Sequence, residues 1–265
     1  MALAGLLSMA GLPAQAPAGV PGTQGPVTAP STTQAKPAAA PVSVWQQEFE
    51  ARMLTDFGWL ARFKEADLAL GPPAAGEDRV VFMGDSITES WKIEGRAGYF
   101  PGKAYINRGI SGQTTPQMLV RFRQDVIDLR PKAVVILGGV NDIAGNTGPM
   151  TLEQTEGNLA SMADLAAANN IRVVLCSVLP AVDFRWRPGL TPAPKIVALN
   201  EWIKAYATEK GHVYVDFHTA MKDQRDGLPA SLSADGVHPL PAGYAVMAPL
   251  VEAGIEKALK AGNRE

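Results

Sequence analysis

The chain is short of several things that would have fixed its class at once. It has one cysteine, Cys176, so no internal disulfide is available and the fold must stand on its core. It has three histidines, His212, His218 and His238, and neither an HExxH helix nor paired CxxC spacing, so no structural or catalytic zinc site is expected. Charge of one sign is missing too. The 24 Lys and Arg offset 26 Asp and Glu, for a formal net charge of −2. That excludes the basic stripe by which nucleic-acid binders are recognised. No run approaches the ~18 apolar residues that a spanning helix needs. No strand end carries G-x-G-x-x-G or G-x-x-x-x-G-K-[ST], which argues against a nucleotide binder of flavodoxin type.

What is present divides at about residue 42. Ala2 to Leu12 is small and apolar, and Ala14-Gln15-Ala16 has the form of a signal-peptide cleavage site. No Lys or Arg precedes the run, and Pro17 comes directly after the site. Export to the periplasm or medium is the expectation; a cytoplasmic chain with an Ala/Pro-rich leader is the alternative. Pro17 to Pro41 offers almost no large apolar side chain and reads as a flexible linker. Residues 43–265 are long enough for one α/β domain. Val44 to Leu70 has helical spacing, with Trp45, Phe49, Met53, Phe57 and Leu60 on one stripe expected to pack in the core.

Five short apolar runs come next: Arg79–Met83, Ala104–Ile106, Ala133–Leu137, Ile171–Val178 and His212–Phe217. Between and after them lie amphipathic stretches at Thr115–Leu129, Leu152–Asn169, Pro194–Glu209 and Pro241–Leu259. This alternation predicts βαβ units. Continuous apolar strands such as Val134-Val135-Ile136-Leu137 predict a sheet covered on both faces. The expected fold is a three-layer α/β/α sandwich around a five-stranded parallel, flavodoxin-like sheet. In such sheets, chemistry collects beyond the carboxyl ends of strands.

Four segments lie there. Gly84-Asp85-Ser86-Ile87-Thr88 comes after the first strand and presents a hydroxyl at a helix start, where backbone N–H groups stabilise an oxyanion. Asn107-Arg108-Gly109-Ile110-Ser111-Gly112 comes after the second. Gly138-Gly139-Val140-Asn141-Asp142 comes after the third. Asp235-Gly236-Val237-His238-Pro239 precedes the last helix, with an acid and an imidazole three residues apart. Each segment alone has a plainer reading: a helix cap at Asp85 or Ser86, an ordinary turn, a capping Asn, an idle surface loop. Together they supply a nucleophile, a base, an orienting acid and oxyanion donors.

These four blocks, in this order, resemble those of the SGNH hydrolases, also called GDSL esterases and lipases. The resemblance implies Ser86 as nucleophile, Gly109 and Asn141 as oxyanion-hole residues beside the Ser86 N–H, and the acid–base pair Asp235 and His238. It implies a serine esterase that needs no cofactor or metal. The form Gly-Asp-Ser-Ile-Thr is similar to the small acetylhydrolase and lysophospholipase branch. The loop Asp183-Phe184-Arg185-Trp186-Arg187-Pro188 lies after the fourth strand and can wall the site. Trp186 suits a sugar ring, and Arg185 or Arg187 an anionic group; the plainer reading is that they only hold the loop. Asp85, Trp186 and Arg187 are the candidate substrate contacts. No apolar lid insertion separates the blocks, so short acyl chains are expected, mainly acetyl esters of carbohydrates or other small molecules. A lysophospholipase or thioesterase stands behind that reading. A non-catalytic carbohydrate-binding domain on the same fold would show a damaged triad, and none is visible. His212 and His218 read as structural or solvent-facing, and Cys176 as a small core residue.

Overall fold

The computed structural model describes residues 43–95 and 97–261. The signal-like leader and linker expected over residues 1–42 lie outside them. Two helices come first, α1 (Val44–Thr55) and α2 (Lys64–Leu70). The core then runs β1 (Val80–Gly84), α3 (Ser86–Glu89), β2 (Tyr105–Gly109), α4 (Thr115–Asp125), β3 (Ala133–Leu137), α5 (Val140–Ala144), α6 (Leu152–Ala168), β4 (Arg172–Cys176), α7 (Ala193–Lys210), β5 (Val213–Val215), α8 (Phe217–Met221) and α9 (Pro241–Ala261).

All five strands are parallel, in the order β2-β1-β3-β4-β5. β1 and β3 are buried at every position, as strands covered on both faces must be. Helices α4, α6 and α7 pack side by side, while α9 packs on β3, β4 and β5. Gly254 permits that contact: a side chain there would meet Val215 at 2.5 Å. The strand order reverses between β1 and β3, the crevice where ligands enter doubly wound sheets.

A buried cation ties the strand ends beneath that crevice. Arg121 on α4 donates from Nη2 to the carbonyls of Gly84 (3.0 Å) and Arg108 (2.8 Å), the end of β1 and the penultimate residue of β2. Its Nε donates to Gln113 Oε1 and its Nη1 to Asp125 Oδ2. One fully buried guanidinium thus holds two strands and the loop after β2 in a fixed relation.

Two expectations need correcting. The stretch Val44–Leu70 is two helices rather than one, because Asp56 ends α1 by accepting the N–H groups of Leu60 and Ala61. Of its expected core stripe only Phe49 is buried; Trp45 stays 48 % exposed. The fifth strand is also shorter than the apolar run. Asp216 takes the Thr219 N–H and starts α8, so Phe217 and His218 are helical.

Candidate active site

β1 ends in Gly84, and nothing larger fits there: a Cβ would meet Thr88 Oγ1 at 2.0 Å and the Leu137 carbonyl at 2.9 Å. The chain turns directly into α3. Asp85 is the N-cap, its Oδ1 accepting the Ile87 N–H at 3.0 Å. Ser86 is the first helical residue, and α9 steadies this short helix through Tyr244, whose hydroxyl donates to the Ile87 carbonyl at 2.7 Å. Ser86 Oγ lies 3.0 Å from His238 Nε2, across 152 residues of sequence. His238 Nδ1 lies 2.6 Å from Asp235 Oδ2.

The protonation pattern is set by the partners. Burial pushes the Asp235 carboxyl up. The hydrogen bonds from the His238 ring and from the backbone N–H groups of His238 and Val237 outweigh it, so the carboxyl titrates well below the usual carboxylate range. An ionised Asp235 only accepts, so Nδ1 carries a proton, and a neutral imidazole offers Nε2 to the serine hydroxyl as acceptor.

The Ser86 hydroxyl opens into a cleft of about 290 Å³ lined by Trp45, Ser111, Gly112, Asn141, Asn146, Trp186 and His238. A groove twice as large, near Lys103, Tyr105 and Lys132, lies where β1, β2 and β3 begin and contains none of these groups. Asn141, on α5, directs its amide Nδ2 to the Gln113 carbonyl (3.0 Å) and, more loosely, to Asp85 Oδ2 (3.3 Å). Its neighbour Asp142 accepts the N–H of Thr115 at the start of α4, locking α5 to the loop after β2.

Gly109 is not where the four-block pattern puts it. It ends β2 level with Gly84, two residues before the nucleophile. Its N–H is spent on Asn107 Oδ1 at 2.8 Å, and a side chain there would strike the backbone of Thr88 and Glu89 rather than the cleft. Gly112, three residues on, lines the cleft instead, at φ +80°. Among the described residues neither its N–H nor that of Ser86 has a hydrogen-bond partner. The signal that separates the two glycines is strand length: the first still lies in the ladder.

The substrate-contact candidates also divide. Trp186 lines the cleft, its ring 6.2 Å from that of His238. Arg187 does not line it; it reaches the Gly145 carbonyl at 3.4 Å. Asp85 is buried as a cap, out of contact with the cleft. The wall missed by sequence is Trp45, stacked on Phe49 at 5.2 Å and close against Gly112. Asn146 was missed as well.

A model of the GDSL-like lipase/acylhydrolase family matches residues 82–246. The chain belongs to that family. This GDSL hydrolase is a carboxylic ester hydrolase, and its relatives agree. It is 25 % identical over 204 residues to the acetylxylan esterase of Geobacillus stearothermophilus, covering 64 % of this chain and 90 % of that one. It is 28 % identical over 188 residues to the esterase TesA of Pseudomonas aeruginosa, covering 65 % and 85 %. A GDSL-like lipase structure from Bacteroides thetaiotaomicron superposes with a TM-score of 0.73 at 46 % identity, over 77 % of this GDSL hydrolase and all of its counterpart. No described helix is long and apolar enough to cross a membrane.

Asp85 gives the GDSL hydrolase a stability signature. Burial raises its carboxyl to about 7. The native state therefore holds a proton that the unfolded chain has lost, between the ordinary carboxylate value of 3.8 and about 7. That contribution is complete below pH 3.8 and disappears as pH rises through 7. The melting temperature of the wild type should fall more steeply between pH 5 and pH 8 than that of Asp85→Asn. Parallel curves in scanning calorimetry would show that Asp85 is ionised in the fold throughout.

Proposed function

We propose that this hydrolase is a serine esterase for short-chain esters, mainly acetyl groups on carbohydrates, acting through Ser86, His238 and Asp235. The observation that carries the mechanism is the unbroken contact from Ser86 Oγ through the imidazole to the Asp235 carboxylate, at 3.0 and 2.6 Å. An intact relay of this kind favours catalysis over a non-catalytic binding domain.

In this reading Ser86 Oγ attacks the ester carbonyl carbon while His238 Nε2 takes its proton. The carbonyl oxygen becomes an oxyanion, received by the N–H groups of Ser86 and Gly112 and by Asn141 Nδ2. Collapse breaks the bond to the alcohol, which leaves with the proton from His238. Water, activated by the same imidazole, then hydrolyses the acyl-enzyme and restores Ser86. Asp235 stays ionised and keeps the imidazole in its working tautomer.

Substrate size is argued from the cleft. At about 290 Å³ it sits at the lower edge of the ~300–1,000 Å³ usual for small-molecule sites. Its aromatic walls, Trp45 and Trp186, suit the face of a sugar ring. The likeness to an acetylxylan esterase supports the same class. The domain carrying this activity is read as 43–265, and export rests on the leader pattern alone. A rate series over p-nitrophenyl C2 to C12 esters tests the acyl preference: kcat/KM should peak at C2 and fall with length. A maximum at C8 or beyond would favour the lysophospholipase or thioesterase reading instead.

A further inference from the structure

The hydrogen bonds along the cleft floor have a direction, and its origin lies outside the triad. The Trp186 indole N–H is a donor with no acceptor capacity. It donates to Asn146 Oδ1 at 3.1 Å, which fixes which way the Asn146 amide faces. Asn146 Nδ2 then donates to the Gly112 carbonyl (3.1 Å) and to Asn141 Oδ1 (2.9 Å). With its oxygen so engaged, Asn141 must turn its own Nδ2 the other way, toward the Gln113 carbonyl and Asp85. The Asn146 backbone N–H completes the tie by donating to the Asn141 carbonyl at 3.1 Å. The indole is itself braced. It stacks on buried Phe184 at 5.0 Å, and its neighbours Arg185 and Arg187 donate to the carbonyls of Ala234 and Gly145.

We propose that Asn146 is a positioning residue for the oxyanion hole, a role that rests on the Ser86–His238 mechanism above. It sets the direction of the Asn141 amide and holds the carbonyl of the adjoining Gly112–Gln113 peptide before substrate arrives, and Trp186 sets Asn146. An amide whose direction is set in advance has only its longer contact, to Asp85, to give up as charge develops, which is where this kind of stabilisation takes effect. Among the described residues Asn146 has no hydrogen bond to Ser86 or His238, so it acts on the barrier without changing which proton moves.

The experiment compares Asn146→Ala, Asn146→Asp and Trp186→Phe with wild type on p-nitrophenyl acetate. It reads kcat, KM, the pH profile and the affinity for an aryl trifluoromethyl ketone, which captures the serine as an oxyanionic adduct. Asn146→Ala should lower kcat about 10- to 100-fold, with KM within about twofold, and should weaken the ketone by a similar factor. The pH profile should keep its wild-type midpoint. Asn146→Asp keeps the acceptor for Trp186 but faces two oxygens with a carboxylate, and should lose at least as much. Trp186→Phe keeps an aromatic ring and loses the N–H; its smaller loss should not add to that of Asn146→Ala. Wild-type kcat in Asn146→Ala would overturn the proposal. So would a raised KM at unchanged kcat, which marks a ground-state contact, or a lowered kcat with undiminished ketone affinity. A Ser86→Ala control that hydrolyses the ester as fast as wild type would instead bring down the underlying mechanism, separately from the role of Asn146.

Discussion

Ser86→Ala should reduce turnover of p-nitrophenyl acetate by on the order of a million-fold, and His238→Ala should do about the same. The near-equality matters as much as the size. Nucleophile and base act as one unit, so losing either removes the covalent route, and the double variant should be no worse than either single one. What survives should exceed the rate in water, because the oxyanion donors and the cleft remain. Stability should scarcely move. The Ser86 hydroxyl has His238 as its hydrogen-bond partner, and the His238 side chain is 39 % exposed, so truncation strands no buried group. Steady-state rates together with thermal melts check both halves. A Ser86→Ala protein that melts like wild type and hydrolyses like wild type would remove Ser86 from the chemistry.

Asn141→Ala should cost about 10²–10³ in kcat with little change in KM, because an oxyanion donor binds nothing that exists in the ground state. The two kinetic constants can be told apart here because the Asn141 amide has ground-state partners of its own, Gln113 and Asp85. Its contact to Asp85 is the longer, so that hydrogen is the one a developing oxyanion can draw away. If KM rises while kcat holds, Asn141 binds substrate and the proposed oxyanion hole is wrong. The same logic extends to the neighbouring glycines. A substitution at Gly112 places a side chain against Trp45 at the mouth of the cleft, whereas one at Gly109 wedges the backbone of α3.

Much of the architecture was legible because its signals are local. Apolar runs ending in glycine mark strands, and parallel strands gather the loops at their carboxyl ends along one edge of a sheet. Ser86, Asn141, Asp235 and His238 could therefore be brought together on paper. Three of the misplaced residues depend on something pairwise spacing does not contain. Gly109 and Gly112 are equally good glycines in one loop. Only the end of β2 and the reach of Asn107 decide whose N–H is free. Trp45 sits on a helical apolar stripe, and that periodicity says a face is apolar without saying what meets it; here the open cleft lies beside it. Asp85 adjoins the nucleophile in sequence, yet its carboxylate turns inward to cap α3. Asn146 escaped notice because its partners come from helix α5, which holds Asn141, and from two separate loops, which hold Gly112 and Trp186.

The central claim, that Ser86 is a nucleophile activated by His238, can be tested by incubating the folded protein with a fluorophosphonate and mapping the adduct by peptide mass spectrometry. One phosphonyl group on the peptide carrying Ser86, formed rapidly in wild type and far more slowly in His238→Ala, is the predicted result. No adduct under conditions where the ester is hydrolysed, or an adduct on another residue, would contradict it.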